Sequence, residues 1–89
     1  MEGPYEVKPV LMNLSGLSWR ELCGLVPSIN SPSIAFSRGG KLVAEEDDMR
    51  TLVGETLLAC THMSYFHRLS IAEEWDIDTE YFKSLIADE

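Results

Sequence analysis

Residues 48–67 read DMRTLVGETLLACTHMSYFH. The stretch has no proline and one glycine, and it is long enough for about five helical turns. At 100° per residue, Met49, Val53, Thr56, Cys60, Met63 and His67 fall within about 40° of one line. Leu52 and Leu57 flank that line. The opposite side carries Leu58 and Tyr65 beside Thr51, Glu55, Thr61 and His62. A helix that is apolar on more than one side is buried on more than one side, or is covered by a partner. The reading is a central core helix over 48–67, and the other elements are placed around it.

Upstream of it, Glu45-Glu46-Asp47-Asp48 suits a helix N-terminus, where unpaired N–H groups carry partial positive charge. Before that, SIAFS and KLVAE flank Arg38-Gly39-Gly40. A Gly-Gly pair between two short apolar runs predicts a two-residue hairpin turn, with Phe36 opposite Val43. Arg38-Gly39-Gly40-Lys41 lacks the length and the Lys-Ser/Thr pair of a phosphate loop. Ser28–Ser33 reads as a loop. Ser18 and Glu21 form an S-x-x-E capping box, with Leu17 and Leu22 at the staple positions. A short helix over about Trp19–Leu25 follows, stopped by Pro27. Residues 5–12 alternate in part, and Pro9 would confine them to an edge strand.

Downstream, Ser70 and Glu73 make a second S-x-x-E box, which predicts a short helix over about Ile71–Trp75. Residues 76–78 break it. Asp78 or Thr79 then caps a last helix over about Glu80–Ala87, with Phe82, Leu85 and Ile86 inward. The expected fold is a single α+β domain over residues 1–89. A short first helix and a β-hairpin pack on the long central helix, closed by two short helices.

Composition narrows the function classes. Apolar residues make up 45% and charged residues 25%, which fits a folded chain rather than a disordered one. No apolar run approaches the ~18 residues of a membrane span, and MEGPYEVKP has no signal-peptide pattern. A cytoplasmic protein is the default expectation. Cys23 and Cys60 both fall in apolar helical patterns and read as reduced core thiols. Residues 1–44 hold three acidic and four basic residues, a net of +1. Residues 45–89 hold twelve acidic and three basic residues, a net of −9. That asymmetry disfavours phosphate binding by the second half and favours a basic partner.

Residues 67–86 have the spacing of a helix-turn-helix, with Ala72 in the first helix and Ile77 in the turn. The position where that motif commonly has glycine is Asp76. The second helix offers Thr79, Glu80, Lys83, Ser84, Asp88 and Glu89, with one basic group, so direct nucleic-acid contact is not expected. Cys60, His62 and His67 lack the close ligand pairs of a zinc site, and no metal or cofactor is expected. No catalytic motif is present, and both cysteines lie on apolar faces, which raises a thiol pKa. The expectation is a protein without enzymatic activity.

The candidate interface is Glu73, Glu74, Trp75, Asp76, Asp78, Glu80 and Tyr81, joined by Glu45, Glu46, Asp47 and Asp48. Tryptophan and tyrosine supply contact area, and carboxylates around them select a basic partner. Trp75 has a second reading, as the core-filling last residue of its helix. In size and charge the chain resembles phage-encoded inhibitors, anti-CRISPR proteins, antitoxins and immunity proteins. No family motif carries that likeness. It implies a small acidic inhibitor that occludes a basic, nucleic-acid-handling protein. The alternatives are a helix-turn-helix-like transcription regulator and an accessory subunit of a larger assembly. Leu58 and Tyr65, opposite the core stripe, suggest a homodimer.

Overall fold

The helix expected over 48–67 is two helices. The computed structural model describes residues 4–31 and 33–87, the last three by their backbone alone. In it, α3 runs Glu46–Ala59 and α4 runs Tyr65–Glu74. The Cys60 N–H still bonds the Thr56 carbonyl at 3.0 Å, and there the chain leaves the helix. Ser64 then takes extended backbone, and its Oγ accepts from the His67 N–H at 3.1 Å. A serine that can serve as an N-cap gives the chain a local alternative to continuing a helix. The core stripe therefore holds only to Cys60: Met49, Val53, Thr56 and Cys60 are buried, Met63 is half-buried and His67 is exposed. Leu58 and Tyr65 do not share a helix, so the two-sided helix that suggested a dimer does not exist.

The first turn of α3 carries Glu46, Asp47 and Asp48, as its partial positive charge favours. Met49, Leu52, Val53 and Leu57 are fully buried at i, i+3, i+4 and i+8. Thr56 lies among them without loss, because its hydroxyl donates to the Leu52 carbonyl at 2.8 Å. α3 touches every other α-helix and the sheet, so it remains the central element.

The amino-terminal stretch departs from the edge strand expected over 5–12. Only Tyr5–Glu6 is extended (β1), and Val7–Ser15 is a helix (α1). Pro9 lies in its first turn, where a missing N–H costs no helical bond. Val7 and Leu11, four apart, are both fully buried, so helical spacing prevails over the partial alternation. Gly16, at φ +74°, ends α1, with its N–H on the Met12 carbonyl at 2.9 Å.

α2 spans Trp19–Leu25 and starts at the expected capping box. The Glu21 N–H donates to Ser18 Oγ at 3.2 Å, and the Ser18 N–H donates to Glu21 Oε1 at 3.0 Å. Hydrogen bonds from Ser18, first from its backbone and then from its side chain, hold the Glu21 carboxyl below its ordinary range. Pro27 opens a 3₁₀ turn, Pro27–Asn30, that overlaps the stretch read as a loop, and the turn buries Ile29.

The hairpin forms as read. β2 (Phe36–Arg38) and β3 (Lys41–Ala44) are joined by Gly39 and Gly40 at φ +59° and +82°. Two consecutive positive φ values are what a type I′ turn requires. Phe36 pairs with Val43, and β1 pairs on the other side with Tyr5 opposite Ala44. The sheet order is β1-β3-β2, antiparallel throughout. Central β3 buries Val43 and Ala44. Phe36 stays at the rim, with the Arg38 guanidinium 5.2 Å from its ring centroid.

The second S-x-x-E box starts no helix. Ser70 is an exposed interior residue of α4. α4 ends beyond Trp75 at Asp76, whose φ is +59°, and the Ile77 N–H reaches back to the Ala72 carbonyl at 2.8 Å. Asp78 Oδ1 then accepts from the Glu80 and Tyr81 N–H groups at 3.1 and 3.4 Å. α5 accordingly runs Thr79–Ala87, one residue earlier than expected. Phe82 is buried as predicted, while the side chains of Leu85 and Ile86 lie outside the described residues. The fold is α+β, with five α-helices and one three-stranded antiparallel sheet among the described residues.

Candidate protein-binding surface

The two acidic clusters, far apart in sequence, meet at Arg50. Its Nη1 lies 2.8 Å from Asp47 Oδ1 and its Nη2 3.6 Å from Glu46 Oε2. Its Nε donates to the Trp75 carbonyl at 2.8 Å. The start of α3 and the end of α4 are thus pinned to one another by a single guanidinium, whose planar fork suits several acceptors at once. Tyr5, Glu46, Arg50, Glu74, Trp75 and Asp76 line one hollow. Sequence reading placed no basic group within 73–81. In the fold, Arg50 at one end and Lys83, 3.7 Å from Glu80, at the other offset part of the cluster.

Of the eleven predicted interface residues, Glu45, Glu46, Asp47, Glu73, Glu74, Asp76, Asp78, Glu80 and Tyr81 are exposed and Asp48 is half-buried. Tyr81 is 63% exposed. Trp75 is half-buried, packs against the core and meets Tyr5 edge-on at 5.2 Å between ring centroids. Its ring therefore packs within the chain and at the same time lines the surface hollow.

Several of these carboxylates already have structural duties. Asp78 caps α5, and Asp76 holds the left-handed corner, where a short polar side chain is tolerated. Glu45 takes the N-cap backbone position of α3, with no side-chain cap bond.

Behind the acidic rim lies a cleft of about 370 Å³. Its floor is the outer face of α3, Thr51, Gly54, Glu55 and Leu58, spaced i, i+3, i+4 and i+7. Ile77, Asp78 and Tyr81 form its wall toward α5. Glu55 and Leu58 also line a second hollow with Leu25 and Pro27, so the floor continues to the end of α2. Sequence reading missed this groove. Its signal was Leu58 on the side of the helix away from the core stripe, and the walls come from segments distant in sequence.

The histidines and cysteines are placed apart from this surface. His62 Nε2 lies 3.0 Å from the Ser15 carbonyl. The described residues bring no three His, Cys, Asp or Glu side chains into a metal-binding group. Cys60 is buried, and burial pushes its thiol pKa up, with the Arg68 charge opposing. A thiol in that setting is a poor nucleophile. Arg68 itself is buried and donates to the Leu57 carbonyl at 3.2 Å, satisfying a terminal acceptor of α3.

α4 and α5 form a helix pair around the Asp76 corner. The described exposed face of α5 presents Glu80, Tyr81, Lys83 and Ser84. Of the other two basic residues in this half, Arg68 is buried and Arg50 is engaged by carboxylates. Compared with known protein families, characterised proteins and solved structures, the chain gives no significant match.

Proposed function

We propose that this chain is a non-enzymatic, protein-binding inhibitor that covers a basic, nucleic-acid-handling partner. Phage inhibitors, anti-CRISPR proteins, antitoxins and immunity proteins are the classes it resembles in size and charge. The observation behind the reading is the convergence of two acidic clusters on one face around Arg50, beside an exposed tyrosine. Clustered like charges repel one another, and a basic partner offsets that repulsion while being steered to it at low salt. The described helices include none long and apolar enough to cross a membrane, and the cytoplasm is the proposed place of action.

The test is a pull-down from the native host, followed by titration of the recovered partner. Replacing Asp76, Asp78 and Glu80 by the neutral amides weakens binding and flattens its salt dependence. Tyr81→Ala costs about 2 kcal/mol of affinity as an interface anchor. Unchanged affinity of the triple variant across a salt series removes the reading.

The α4–α5 pair supports a second reading, a helix-turn-helix-like regulator. Micromolar, salt-sensitive binding of duplex DNA would establish it over the first. A homodimer is a separate proposal. Its support is the exposed edge-to-face pair Tyr65–Phe66, with ring centroids 5.4 Å apart and Phe66 79% exposed. Light scattering that reads a monomer at tens of micromolar removes it.

A further inference from the structure

We infer that the groove on the outer face of α3 receives an amphipathic helix of the partner, its apolar face on Leu58, Ile77 and Tyr81 and its lysines or arginines against Glu55, Asp76 and Asp78. The inference rests on the acidic-face reading above and adds to it the kind of segment bound.

Three observations carry it. The first is charge complementarity: the carboxylates of Glu55, Asp76 and Asp78 stand in a cleft whose lining as a whole is mainly apolar. Arg50, at one end, is already held by Glu46 and Asp47. An apolar stripe bordered by cations matches that pattern.

The second is Gly54, in the middle of the floor. A glycine inside a helix weakens it relative to alanine. Packing within the chain does not demand one here. A Cβ at Gly54 would meet only Ile77 Cδ1 among the described residues, at 3.8 Å, which is ordinary contact. Its backbone has ordinary helical φ, unlike Gly16, Gly39 and Gly40. What the missing Cβ provides is close approach from outside, as small residues do where two helices cross.

The third is that no strand lines the groove among the described residues: its lining comes from α3, α5, the corner at 76–78 and the end of α2 with the turn after it, while the edge strands of the sheet, β1 and β2, lie elsewhere. An extended segment lying there would leave its own N–H and C=O groups without a ladder. A helix satisfies its own.

The experiment uses the full chain, isotope-labelled, with two synthetic peptides of about 18 residues built from leucine and lysine. In one, leucines recur at i, i+3, i+4 and i+7. The other has the same composition, permuted so that no helical face is apolar. The amphipathic peptide is expected to bind at least about tenfold more tightly, with amide shifts on 51–58 and 76–82. Gly54→Gln, which fills the floor, is expected to weaken it by about tenfold or more without lowering the melting temperature. Tyr81→Ala, at an exposed site, is the second variant and weakens it similarly.

Equal binding of both peptides, with shifts confined to 73–80, overturns the groove and leaves the acidic-face reading standing. An unchanged affinity in both Gly54→Gln and Tyr81→Ala also overturns the groove. Failure of both peptides to bind at low salt, up to about 1 mM, overturns both.

Discussion

Ser18-x-x-Glu21 and Ser70-x-x-Glu73 are the same motif in the same chain, and only the first caps a helix. At Ser18 the chain arrives extended, at φ −73° and ψ 161°, and both reciprocal bonds form. At Ser70 the chain is already helical, because Ser64 capped α4 six residues earlier. The N-cap bond needs a residue outside the helix, so a serine with a helical turn before it has no free N–H groups to receive. A capping box is therefore conditional on what precedes it. Gly16 and Leu17 separate α1 from the first box, whereas nothing stops α4 before the second.

Ser70→Pro removes a helical hydrogen bond and clashes with the preceding turn of α4, and is expected to cost about 3 kcal/mol in denaturant unfolding. Were Ser70 a helix start, the cost would be a fraction of that. Ser18→Ala and Ser64→Ala should each cost about 1 kcal/mol, while Ser70→Ala should be neutral or stabilise by about 0.5 kcal/mol. Equal losses at all three serines would overturn the assignment of Ser64.

The far ends of the helices extend the comparison. Gly16 and Asp76 both hold the left-handed position after a helix, at φ +74° and +59°. Asp76→Gly is therefore expected to stabilise the fold by about 0.5–1 kcal/mol, and Gly16→Ala to destabilise it by about the same, read as opposite shifts in melting temperature.

The smallest effect is in pH. The folded Glu21 carboxyl is held below its ordinary value of 4.5 by Ser18, so its contribution is present above that pH. It is lost as pH falls through the folded value. Glu21→Gln should flatten stability against pH slightly below 4.5, with little change at neutral pH.

The same logic explains what the sequence did and did not disclose. Gly39-Gly40 and Ser18–Glu21 are local signals whose partners lie within a few residues, and the hairpin register and the start of α2 followed from them. Glu46, Asp47 and Asp48 at the start of α3 were legible for the same reason. The corner at 60–64 was not, because Met63 and His67 continue the apolar stripe while Ser64 ends it by one side-chain bond. Residues 7–15 hid a helix behind Pro9, read as an obstacle to a ladder when it lay in a first helical turn. At the candidate surface, the acidic residues were legible from composition alone. Arg50 between them, the packing of Trp75 on Tyr5 and the groove at Gly54 depend on pairs about 20 or more residues apart in sequence.

The two-residue strand β1 has a consequence for the order of assembly. Tyr5 pairs with Ala44, so the third strand closes a loop of nearly forty residues, whereas β2 and β3 close across two glycines. Loop-closure entropy favours the hairpin first, with the amino-terminal strand docking onto a β3 already in place. Tyr5→Ala should then speed unfolding and leave the folding rate nearly unchanged in stopped-flow measurements. A slowed folding limb would instead put the strand in the folding nucleus.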